Sequence, residues 1–341
     1  MSNLLELRNV TKVFGSGDKA TIAMDNISLR IDTNKPGIIT IAGESGSGKT
    51  TMGMAVLGFL TPTSGQVLFK GTDVAKMNAS QKMAYRKDVQ AVFQDPFGAY
   101  NPFYTVDRII TVPITQFKLA KSKAEKQNMI DEALLKVGLQ PREILGRYPH
   151  QLSGGQRQRL VVARALLLHP ELLIADEPVS MVDASLRASI LETLSKLNRD
   201  LRISILYITH DLTTAYHISD AVLVLYRGSV VEAGDEDAVI KNPKHPYTQL
   251  LIDSIPWPDI DIQWGKQPLV EPTDEAMHRL IKAGFNCCKY APRCPFVKDI
   301  CWQKRPPLYQ TELNRVTACF LYEGLTELPE DKLGDLFSNI M

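Results

Sequence analysis

The hydrophobic pattern of the chain alternates between strand-like and helix-like segments. Residues 4–14 and 24–31 partly alternate apolar and polar positions, as half-buried strands do. Short continuous apolar runs, which are typical of strands buried on both faces, occur at residues 38–42, 172–175 and 203–208. Helix-compatible segments lie between these runs, at residues 51–60, 123–137 and 184–201. This alternation predicts an α/β fold built on a parallel sheet.

A glycine-rich segment follows the first buried run. It reads Gly43-Glu44-Ser45-Gly46-Ser47-Gly48-Lys49-Thr50 (the P-loop) and leads into residues 51–60. A strand, a glycine-rich turn and a helix in that order are the context that the Walker A motif requires. Glycines let backbone N–H groups curl around a phosphate, and the helix N-terminus adds its positive end. Lys49 is then predicted to reach the β- and γ-phosphates, and the Thr50 hydroxyl to bind Mg²⁺.

Two further segments supply groups that nucleotide chemistry needs. Leu152–Gln156 precedes a helical segment, and Ser153 is predicted to cap it, so its free N–H groups form a second phosphate-binding terminus. The buried run 172–175 ends in Asp176 and Glu177, which is the Walker B arrangement when a P-loop is present. Asp176 is predicted to hold Mg²⁺, directly or through water, and Glu177 to polarise the attacking water.

Two residues with ring side chains, His210 and Phe14, are candidates for contact with a ligand. His210 closely follows the apolar strand 203–208, at the carboxyl end where open α/β sheets place ligands. A lone histidine is usually structural, and only its position distinguishes this one. Phe14 ends the strand 4–14, just before the loop 15–17, where an aromatic ring could stack on adenine. From spacing alone, core packing explains Phe14 equally well.

Composition narrows the setting of this chemistry. The chain has 341 residues, enough for two or three domains, and its 44% hydrophobic and 23% charged residues are ordinary for a soluble globular protein. Its net charge is +1, so no overall basic field indicates a nucleic-acid partner. No apolar run approaches the length of a bilayer, and the N-terminal residues lack a signal-peptide pattern. We therefore expect a cytosolic protein that works at a membrane only through partners.

The pattern also suggests how the chain is divided. Residues 95–150 are interpreted as a helical insertion into the sheet domain, with the segment Leu152–Gln156 at its end. Composition changes near residue 241, where proline-rich sequence begins. We expect residues 1–94 and 151–240 to form the sheet domain. Residues 241–341 are expected to form a separate unit, the C-terminal extension.

All five cysteines lie in the final quarter of the chain, at Cys287, Cys288, Cys294, Cys301 and Cys319. In a reducing compartment such a group indicates a metal more than disulfides. Thiolates suit iron–sulfur clusters and zinc alike, but the Cys-x-x-Cys spacing usual for zinc is absent. Reduced cysteines packed around a small knot are the plain alternative, and Cys287 could substitute for its neighbour or simply pack.

These motifs, in this order, resemble the ATP-binding subunit of an ABC transporter. In that family Gly43–Thr50 matches Walker A, Gln94 the Q-loop, Leu152–Gln156 the signature, Asp183 the D-loop and His210 the H-loop. The resemblance implies an ATP site formed by Phe14, Gly43, Ser45, Gly46, Ser47, Gly48, Lys49, Thr50, Thr51, Ser153, Gly154, Gly155, Gln156 and Asp183. The implied fold is an ABC ATPase core, a P-loop parallel sheet with an antiparallel β subdomain, plus a helical insertion and a small Cys-containing extension.

Two sequence segments resemble segments found in one subfamily of importers. They are Gln94-Asp95-Pro96 with Asn101-Pro102, and Pro243–Thr248 in the C-terminal extension. Both are found in the dipeptide, oligopeptide and nickel importer group, which also includes oligosaccharide importers. Phe97–Tyr100 stands where peptide members usually carry small residues and a leucine. The resemblance therefore implies the import of oligopeptides or dipeptides, with oligosaccharide and nickel as the alternative cargoes.

The resemblance also implies a mechanism. Two ATP-binding subunits face each other head to tail, and each ATP is held between one P-loop and the partner's Ser153–Gln156 terminus. Glu177 activates water, with His210 and Gln94 positioning water, γ-phosphate and metal. The implied Mg²⁺ ligands are Thr50, Gln94 and Asp176. Hydrolysis would reopen the closed dimer, and this cycle would drive the membrane partner.

The same resemblance implies the partners and the location. The partners are a second ATPase subunit, interpreted as a paralogue, two membrane permease subunits, and an extracellular or periplasmic substrate-binding protein. No nucleic acid is expected, and the chain would sit at the cytoplasmic face of the membrane. Phe93, Phe97 and Tyr100 are candidate contacts for a permease helix, with core packing as the alternative.

The cysteines are also part of the resemblance. Cys288, Cys294, Cys301 and Cys319 are similar to the four-cysteine pattern that binds a [4Fe–4S] cluster in some members of the subfamily. Such a cluster would be structural rather than catalytic.

Two other functions are alternatives to transport. A soluble ABC-type ATPase acting on DNA or ribosomes would need basic surfaces, a long coiled-coil insertion or two cassettes, and the sequence has none of these. An inactive regulatory cassette would bind ATP without turnover. Intact Lys49, Asp176, Glu177 and His210 argue against it.

Overall fold

A computed structural model describes residues 3–17, 20–95, 98, 100–180, 182–255, 271–283 and 286–340. Phe97, a candidate permease contact, lies outside these residues. The strands are β1 (Asn3–Phe14), β2 (Thr21–Asp32), β3 (Ile38–Ala42), β4 (Ser64–Phe69), β5 (Thr72–Asp73), β6 (Val89–Val92), β7 (Leu172–Asp176), β8 (Ser204–Thr209), β9 (Ala221–Tyr226), β10 (Ser229–Asp235), β11 (Leu308–Glu312), β12 (Arg315–Thr317) and β13 (Glu327–Leu328). The α-helices are α1 (Lys49–Val56), α2 (Ala79–Asp88), α3 (Asp107–Gln116), α4 (Lys123–Lys136), α5 (Pro141–Ile144), α6 (Gly154–Leu166), α7 (Ala184–Leu201), α8 (Leu212–Ile218), α9 (Glu236–Lys241), α10 (Pro246–Asp253), α11 (Asp274–Lys282) and α12 (Leu333–Ile340).

Internal contacts divide the chain into two units. The first contains residues 1–76 and 208–341, and the second contains residues 77–207. Strand β8 runs across the boundary in sequence. None of the helices in the described part of the chain is both long and apolar enough to cross a membrane.

The first unit has an antiparallel sheet of four strands in the order β2-β1-β4-β5. In β1, Leu7 lies opposite Leu29 of β2 and Val67 of β4. All three side chains are buried, and burying a side chain of this size contributes about 1.5–3 kcal/mol. The strand predicted at residues 4–14 is therefore confirmed, one residue longer, as the middle of an antiparallel sheet.

A second sheet of the first unit carries the P-loop. Its strands in this unit follow the order β13-β11-β12-β10-β9-β3. β3 runs parallel to β9, with Ile39 opposite Ala221, while β9, β10, β12, β11 and β13 pair antiparallel. The last three strands come from the C-terminal extension. The extension thus adds strands to the sheet, a feature that its hydrophobic pattern did not predict.

A cluster of aromatic side chains lies between this sheet and the extension. The rings of Tyr226 and Tyr247 have centroids 4.6 Å apart, and Tyr290 lies 5.2 and 5.5 Å from them. All three side chains are buried. Aromatic pairs at such distances contribute about 0.5–1.5 kcal/mol beyond the area they bury. The cluster therefore fixes the start of the extension to β9.

The second unit combines helices with the strands β6 and β7. These strands are parallel, with Val89 opposite Leu172 and Val92 opposite Ala175, and β7 is also a neighbour of β8. α3 and α4 both pack on α6, whose apolar face is buried. α4 confirms a helix where residues 123–137 were expected to form one, and it buries only Ile130, Ala133 and Leu134.

Candidate active site

The P-loop follows β3, whose five residues are all buried. Gly43 has a φ of 148° and Gly48 a φ of 104°, conformations that residues with a side chain rarely adopt. A Cβ at Gly43 would lie 2.3 Å from the carbonyl oxygen of Leu225, and one at Gly48 would lie 2.1 Å from that of Ala23. The P-loop is therefore packed directly against neighbouring backbone, and only glycine fits at these two positions.

The helix after the P-loop presents a positive end. α1 begins at Lys49, with Gly48 at its N-cap and no acidic residue in its first turn, so its dipole is not neutralised there. The Lys49 side chain is buried, and its Nζ donates to the carbonyl oxygens of Gly43 and Glu44 at 2.7 and 2.8 Å. A buried ammonium beside a helix N-terminus attracts a polyanion such as a triphosphate.

The Ser47 hydroxyl also fits a bound phosphate. Its Oγ is buried and has no hydrogen-bond partner among the described residues. An unpaired buried hydroxyl costs about 1–3 kcal/mol, which a phosphate oxygen paired with it would offset. The neighbouring predicted residues are more open, since Ser45, Gly46 and Thr50 are exposed and Thr51 is half-buried.

Phe14 and His210 belong to the same unit as the P-loop. Phe14 ends β1 with 43% of its surface exposed, and Lys12 Nζ lies 5.2 Å from the centre of its ring. Base stacking requires such an exposed ring. His210 directly follows β8 and is exposed. The next residue, Asp211, caps α8 by accepting a hydrogen bond from Thr213 N at 2.9 Å.

In the second unit, Leu152–Gln156 leads into α6. Ser153 Oγ accepts a hydrogen bond from Gln156 N at 3.2 Å, and the Gln156 side chain accepts one from Ser153 N at 2.9 Å. The predicted cap is confirmed as a reciprocal capping box. A Cβ at Gly155 would lie 2.7 Å from Cδ1 of Leu186. The first turn has no acidic residue, so this helix terminus also suits an anion.

The two predicted carboxylates lie at the end of β7. Asp176 is buried, with 8% of its surface exposed. Glu177 follows with a φ of 46°, a left-handed conformation that is uncommon for glutamate. The backbone N and Oγ of Ser180 donate to the Glu177 carbonyl oxygen at 3.2 and 3.0 Å and stabilise this turn. Strained backbone of this kind concentrates at functional sites.

The Q-loop region is tied to α6. Gln94 and Phe93 are exposed at the end of β6, and Gln158 Nε2 donates to the Phe93 carbonyl oxygen at 3.3 Å. The Tyr100 hydroxyl donates to the Arg157 carbonyl oxygen at 2.7 Å, and burial raises its pKa. Of the candidate permease contacts, Phe93 is exposed, whereas Tyr100 is held within the unit.

The sequence-predicted residues thus fall into two groups. The first unit contains Phe14, the P-loop, Thr51 and His210. The second unit contains Gln94, Ser153, Gly154, Gly155, Gln156, Asp176, Glu177 and Asp183. Asp183 is exposed at the N-cap of α7, and its side chain makes no hydrogen bond to that helix. Each group contains one helix terminus suited to phosphate, so a single chain carries two.

The five thiols all lie in the extension. All five cysteines are free, and Cys288, Cys294, Cys301 and Cys319 lie close enough to influence one another's charge. Burial raises the pKa of Cys288 to about 12 and that of Cys294 to about 11, and neighbouring thiols add to both shifts. Within the described ranges, no group of three or more His, Cys, Asp and Glu side chains is arranged to hold a metal ion. The donor chemistry suits iron, but the ligand geometry is not preformed.

Three residues of the extension contact the surroundings of the P-loop and were not predicted. The Tyr247 hydroxyl accepts a hydrogen bond from Glu44 N at 2.7 Å, and Arg293 Nη1 lies 2.9 and 3.1 Å from the Glu44 carboxylate oxygens. Lys289 Nζ donates to the Arg227 carbonyl oxygen at 2.9 Å. Tyr247 lies in a segment that marks the subfamily, whereas no spacing indicates Arg293 or Lys289.

Comparison with known proteins shows which family has this sequence and fold. A family model described as ABC transporter matches residues 24–180, and one described as oligopeptide/dipeptide transporter, C-terminal region, matches residues 231–301. The oligopeptide transport ATP-binding protein OppF of Salmonella typhimurium is 38% identical over 312 residues, which is 92% of this chain and 91% of that protein. AppF of Bacillus subtilis, another oligopeptide transport ATP-binding protein, is 37% identical over 94% of this chain and 97% of its own.

Solved structures agree with the fold. A dimeric structure of the ATP-binding cassette MJ0796, in a post-hydrolysis state with ADP and Pi, has a TM-score of 0.61 and 29% identity. It covers 68% of this chain and 98% of that one. CbiO1 of Clostridium perfringens, part of the ABC transporter complex cbiONQ, has a TM-score of 0.62 and 26% identity over 71% of this chain and 92% of its own.

The P-loop, the capped helix terminus at Ser153 and the fold define an ATP-binding cassette, an ATPase of the ABC type for which ATP and Mg²⁺ are expected. Within that class, the chain belongs to the family of oligopeptide and dipeptide transporter ATP-binding proteins.

Proposed function

We propose that this chain hydrolyses ATP to power the import of peptides. The observation that carries the proposal is one chain that holds a P-loop with buried Lys49, a capped terminus at Ser153 and the carboxylates Asp176 and Glu177. The relatives over nine-tenths of the chain are oligopeptide transport proteins. This supports peptide as the cargo over the oligosaccharide and nickel alternatives.

ATP binding is assigned to the first unit. Lys49, the P-loop N–H groups and the unpaired Ser47 hydroxyl bind the phosphates, because together they offer positive charge and donors. The exposed Phe14 ring stacks on adenine. Thr50, Gln94 and Asp176 are the residues that would hold Mg²⁺, which neutralises charge on the phosphates when it is bound.

Hydrolysis is assigned to residues that act on the attacking water. Glu177 accepts a proton from water as the water oxygen bonds to the γ-phosphorus, and the bond from that phosphorus to the β,γ-bridging oxygen breaks. His210 and Gln94 position the water and the γ-phosphate. The products are ADP and inorganic phosphate.

Two chains are needed for a complete site. We propose that the Ser153–Gln156 terminus and Asp183 complete the ATP site of a second cassette, in a head-to-tail dimer. Two helix N-termini then converge on one γ-phosphate, which favours closure while ATP is intact. The cassette MJ0796, whose reported structure is dimeric, supports the pairing of two cassettes. The second cassette is proposed to be a paralogue.

The remaining partners follow from import. Two membrane permease subunits would carry the cargo, and an extracellular or periplasmic substrate-binding protein would deliver it. The chain would then work at the cytoplasmic face of the membrane, with exposed Phe93 as a candidate permease contact. Residues 1–94 with 151–240, 95–150 and 241–341 are proposed as its core, helical and C-terminal domains.

The test is the ATPase activity of the tagged chain with its co-purified membrane partners. The complex is reconstituted with its binding protein and given a peptide mixture or an oligosaccharide mixture, with a Glu177→Gln complex as the control for contaminating ATPases. We expect stimulation by peptides only. Stimulation of ATPase activity by oligosaccharides only would overturn the assignment of peptide as the cargo. The absence of any co-purifying membrane protein would overturn the assignment to an importer.

We further propose that Cys288, Cys294, Cys301 and Cys319 take up a structural [4Fe–4S] cluster. Their spacing in the sequence supports this, although the thiols must lose protons and rearrange to bind iron, because no group of three or more such side chains in the described ranges is arranged to hold a metal ion. To test this, the chain is purified without oxygen. Its content of iron, zinc and acid-labile sulfide is then measured, together with its visible absorbance. Cys294→Ser should lose the iron and the absorbance. Zinc in place of iron, or no metal, would overturn the proposal.

A further inference from the structure

The C-terminal extension meets the P-loop at Glu44. Tyr247 accepts a hydrogen bond from Glu44 N at 2.7 Å, and Arg293 Nη1 forms an ion pair with the Glu44 carboxylate at 2.9 Å. Lys49 Nζ donates to the Glu44 carbonyl oxygen at 2.8 Å. The amide, the side chain and the carbonyl of this one residue therefore each have a partner, and two of the three partners come from the extension.

A second set of contacts reaches the P-loop through the turn between β9 and β10. Lys289 Nζ donates to the Arg227 carbonyl oxygen at 2.9 Å and also pairs with Asp25 at 2.7 Å. The next residue of the turn, Gly228, donates from its N–H to the carbonyl oxygen of Ser47 at 2.9 Å. The extension thus supports the P-loop at two points, directly at Glu44 and indirectly, through the turn between β9 and β10, at Ser47.

These contacts come from well-packed parts of the extension. The Tyr247 ring is fully buried against Tyr226 and Tyr290, and Tyr247 N donates to Nδ1 of the buried His245 at 3.0 Å. Arg293 lies in a short 3-10 turn, Ala291–Arg293. Groups held this firmly can hold the P-loop in one conformation.

We propose that the C-terminal extension is part of the nucleotide site, with Arg293 and Tyr247 as positioning residues that fix the P-loop at Glu44. A loop ordered in advance loses less conformational entropy when ATP binds, so affinity is higher. This inference rests on the proposed function, because it takes the P-loop as the ATP site.

Charge gives Arg293 a second effect on ATP. Glu44 puts a carboxylate on a loop that binds a polyanion, and Arg293 offsets that charge through its ion pair. Removing Arg293 leaves the negative charge on the loop, where it opposes the phosphates. Neutralising Glu44 at the same time removes this repulsion. A role in packing alone would not produce such a rescue.

The experiment is the dissociation constant of a fluorescent ATP analogue, measured on the full chain at low ionic strength. The variants are Arg293→Gln, Tyr247→Phe and the double variant Arg293→Gln/Glu44→Gln, with Arg293→Lys as the conservative replacement. Arg8→Gln is the matched control, because Arg8 pairs with Glu6 at 2.8 Å in the same unit without contacting the P-loop. Circular dichroism on each variant verifies folding.

We expect Arg293→Gln and Tyr247→Phe each to weaken binding roughly three- to tenfold, with Arg8→Gln unchanged. Arg293→Lys and the double variant should recover part of the loss. If Arg293→Gln fails to fold, Tyr247→Phe decides alone, since it removes one oxygen and keeps the ring. Wild-type affinity in Tyr247→Phe, or equal weakening by Arg293→Gln with and without Glu44→Gln, would overturn the inference. No binding by the wild-type chain would instead overturn the proposed function.

Discussion

Glu177 joins an uncommon backbone conformation to the position expected for the catalytic base. Glu177 directly follows the buried end of β7 and has a φ of 46°. Its carbonyl oxygen accepts two hydrogen bonds from Ser180. With a β-strand conformation at this residue, β7 would continue and the carboxylate would lie farther along the strand direction. The turn therefore ends the strand and sets the position of the Glu177 Cα, from which the side chain extends.

Replacing Glu177 by Gln should separate binding from hydrolysis. Glutamine keeps the size and the hydrogen-bonding capacity of the side chain, but it cannot accept the proton from water. We expect unchanged affinity for an ATP analogue and a loss of turnover on the order of 100-fold or more. Phosphate release and analogue titration on the same preparation measure the two effects. Turnover like that of the wild type would remove Glu177 from the role of base.

His245 makes stability depend on pH. Its imidazole is buried at the N-cap of α10, where neutral Nδ1 accepts a hydrogen bond from Tyr247 N. Burial lowers its pKa from 6.5 to about 3. Below pH 6.5 the unfolded chain therefore takes up a proton that the folded chain excludes. This contribution to stability is present above that pH and is lost as the pH falls.

Replacing His245 by Asn should reduce this dependence, because asparagine can cap the same helix and does not titrate. Between about pH 7 and pH 5, we expect the wild type to lose about 2 kcal/mol more unfolding free energy than His245→Asn. Urea unfolding of both chains at the two pH values measures this. The comparison cancels the opposite effect of Glu232, whose pKa burial raises to about 7. Equal losses would mean that His245 does not titrate as described.

At the scale of elements, the start of α6 combines a structural and a functional task. Ser153 caps the helix, and we propose that the same terminus binds the phosphate of a partner's ATP. Ser153→Ala should therefore cost about 1 kcal/mol of stability and also reduce ATPase activity of the assembled complex. Ser122→Ala is the matched control, since Ser122 caps α4 by accepting a hydrogen bond from Glu125 N at 3.1 Å.

Ser122→Ala should lose similar stability and keep full ATPase activity. Binding of an ATP analogue by the isolated chain should be unchanged in both variants, because the terminus serves the partner's nucleotide. Equal ATPase losses in the two variants would show that the cap at Ser153 matters only for stability. Weaker analogue binding by isolated Ser153→Ala would place the terminus in its own chain's site.

Local pattern was sufficient for the elements that carry the motifs. The apolar run 38–42 coincides with β3 because all five of its residues are buried, so the strand appears in the sequence as one short and nearly continuous apolar run. The helix after the P-loop was less well bounded. The pattern predicts residues 51–60, whereas the helix extends from Lys49 to Val56, because Lys49 and Thr50 of the P-loop belong to its first turn and Gly58, with a φ of 73°, ends it.

The contacts of the extension could not be predicted in this way. β11, β12 and β13 have five, three and two residues, too short for a periodic signal, and only β12 pairs directly with β10, through residues far away in sequence. The ion pair of Arg293 with Glu44 joins positions 249 residues apart. Local spacing contains no information on such a pair, so it becomes visible only in the folded chain.

At the scale of the whole molecule, the chain has two helix termini suited to phosphate, one at the P-loop and one at Ser153. We propose that each terminus serves a different ATP, so a closed assembly needs two cassettes and intact nucleotide. Glu177→Gln should stabilise that assembly, because ATP is bound and not consumed. Sedimentation of the variant with ATP and Mg²⁺ then reports which cassette is the partner.

If the partner is a paralogue, the Glu177→Gln chain alone should stay monomeric with ATP. It should form a two-cassette particle only when the second cassette that co-purifies with the complex is added. Ser153→Ala in the same chain should weaken this particle, because one of the two helix termini then loses its cap. ADP in place of ATP should abolish it, since the γ-phosphate on which both termini converge is missing. A particle of two identical chains, formed with ATP and without the second cassette, would make the partner a copy of this chain.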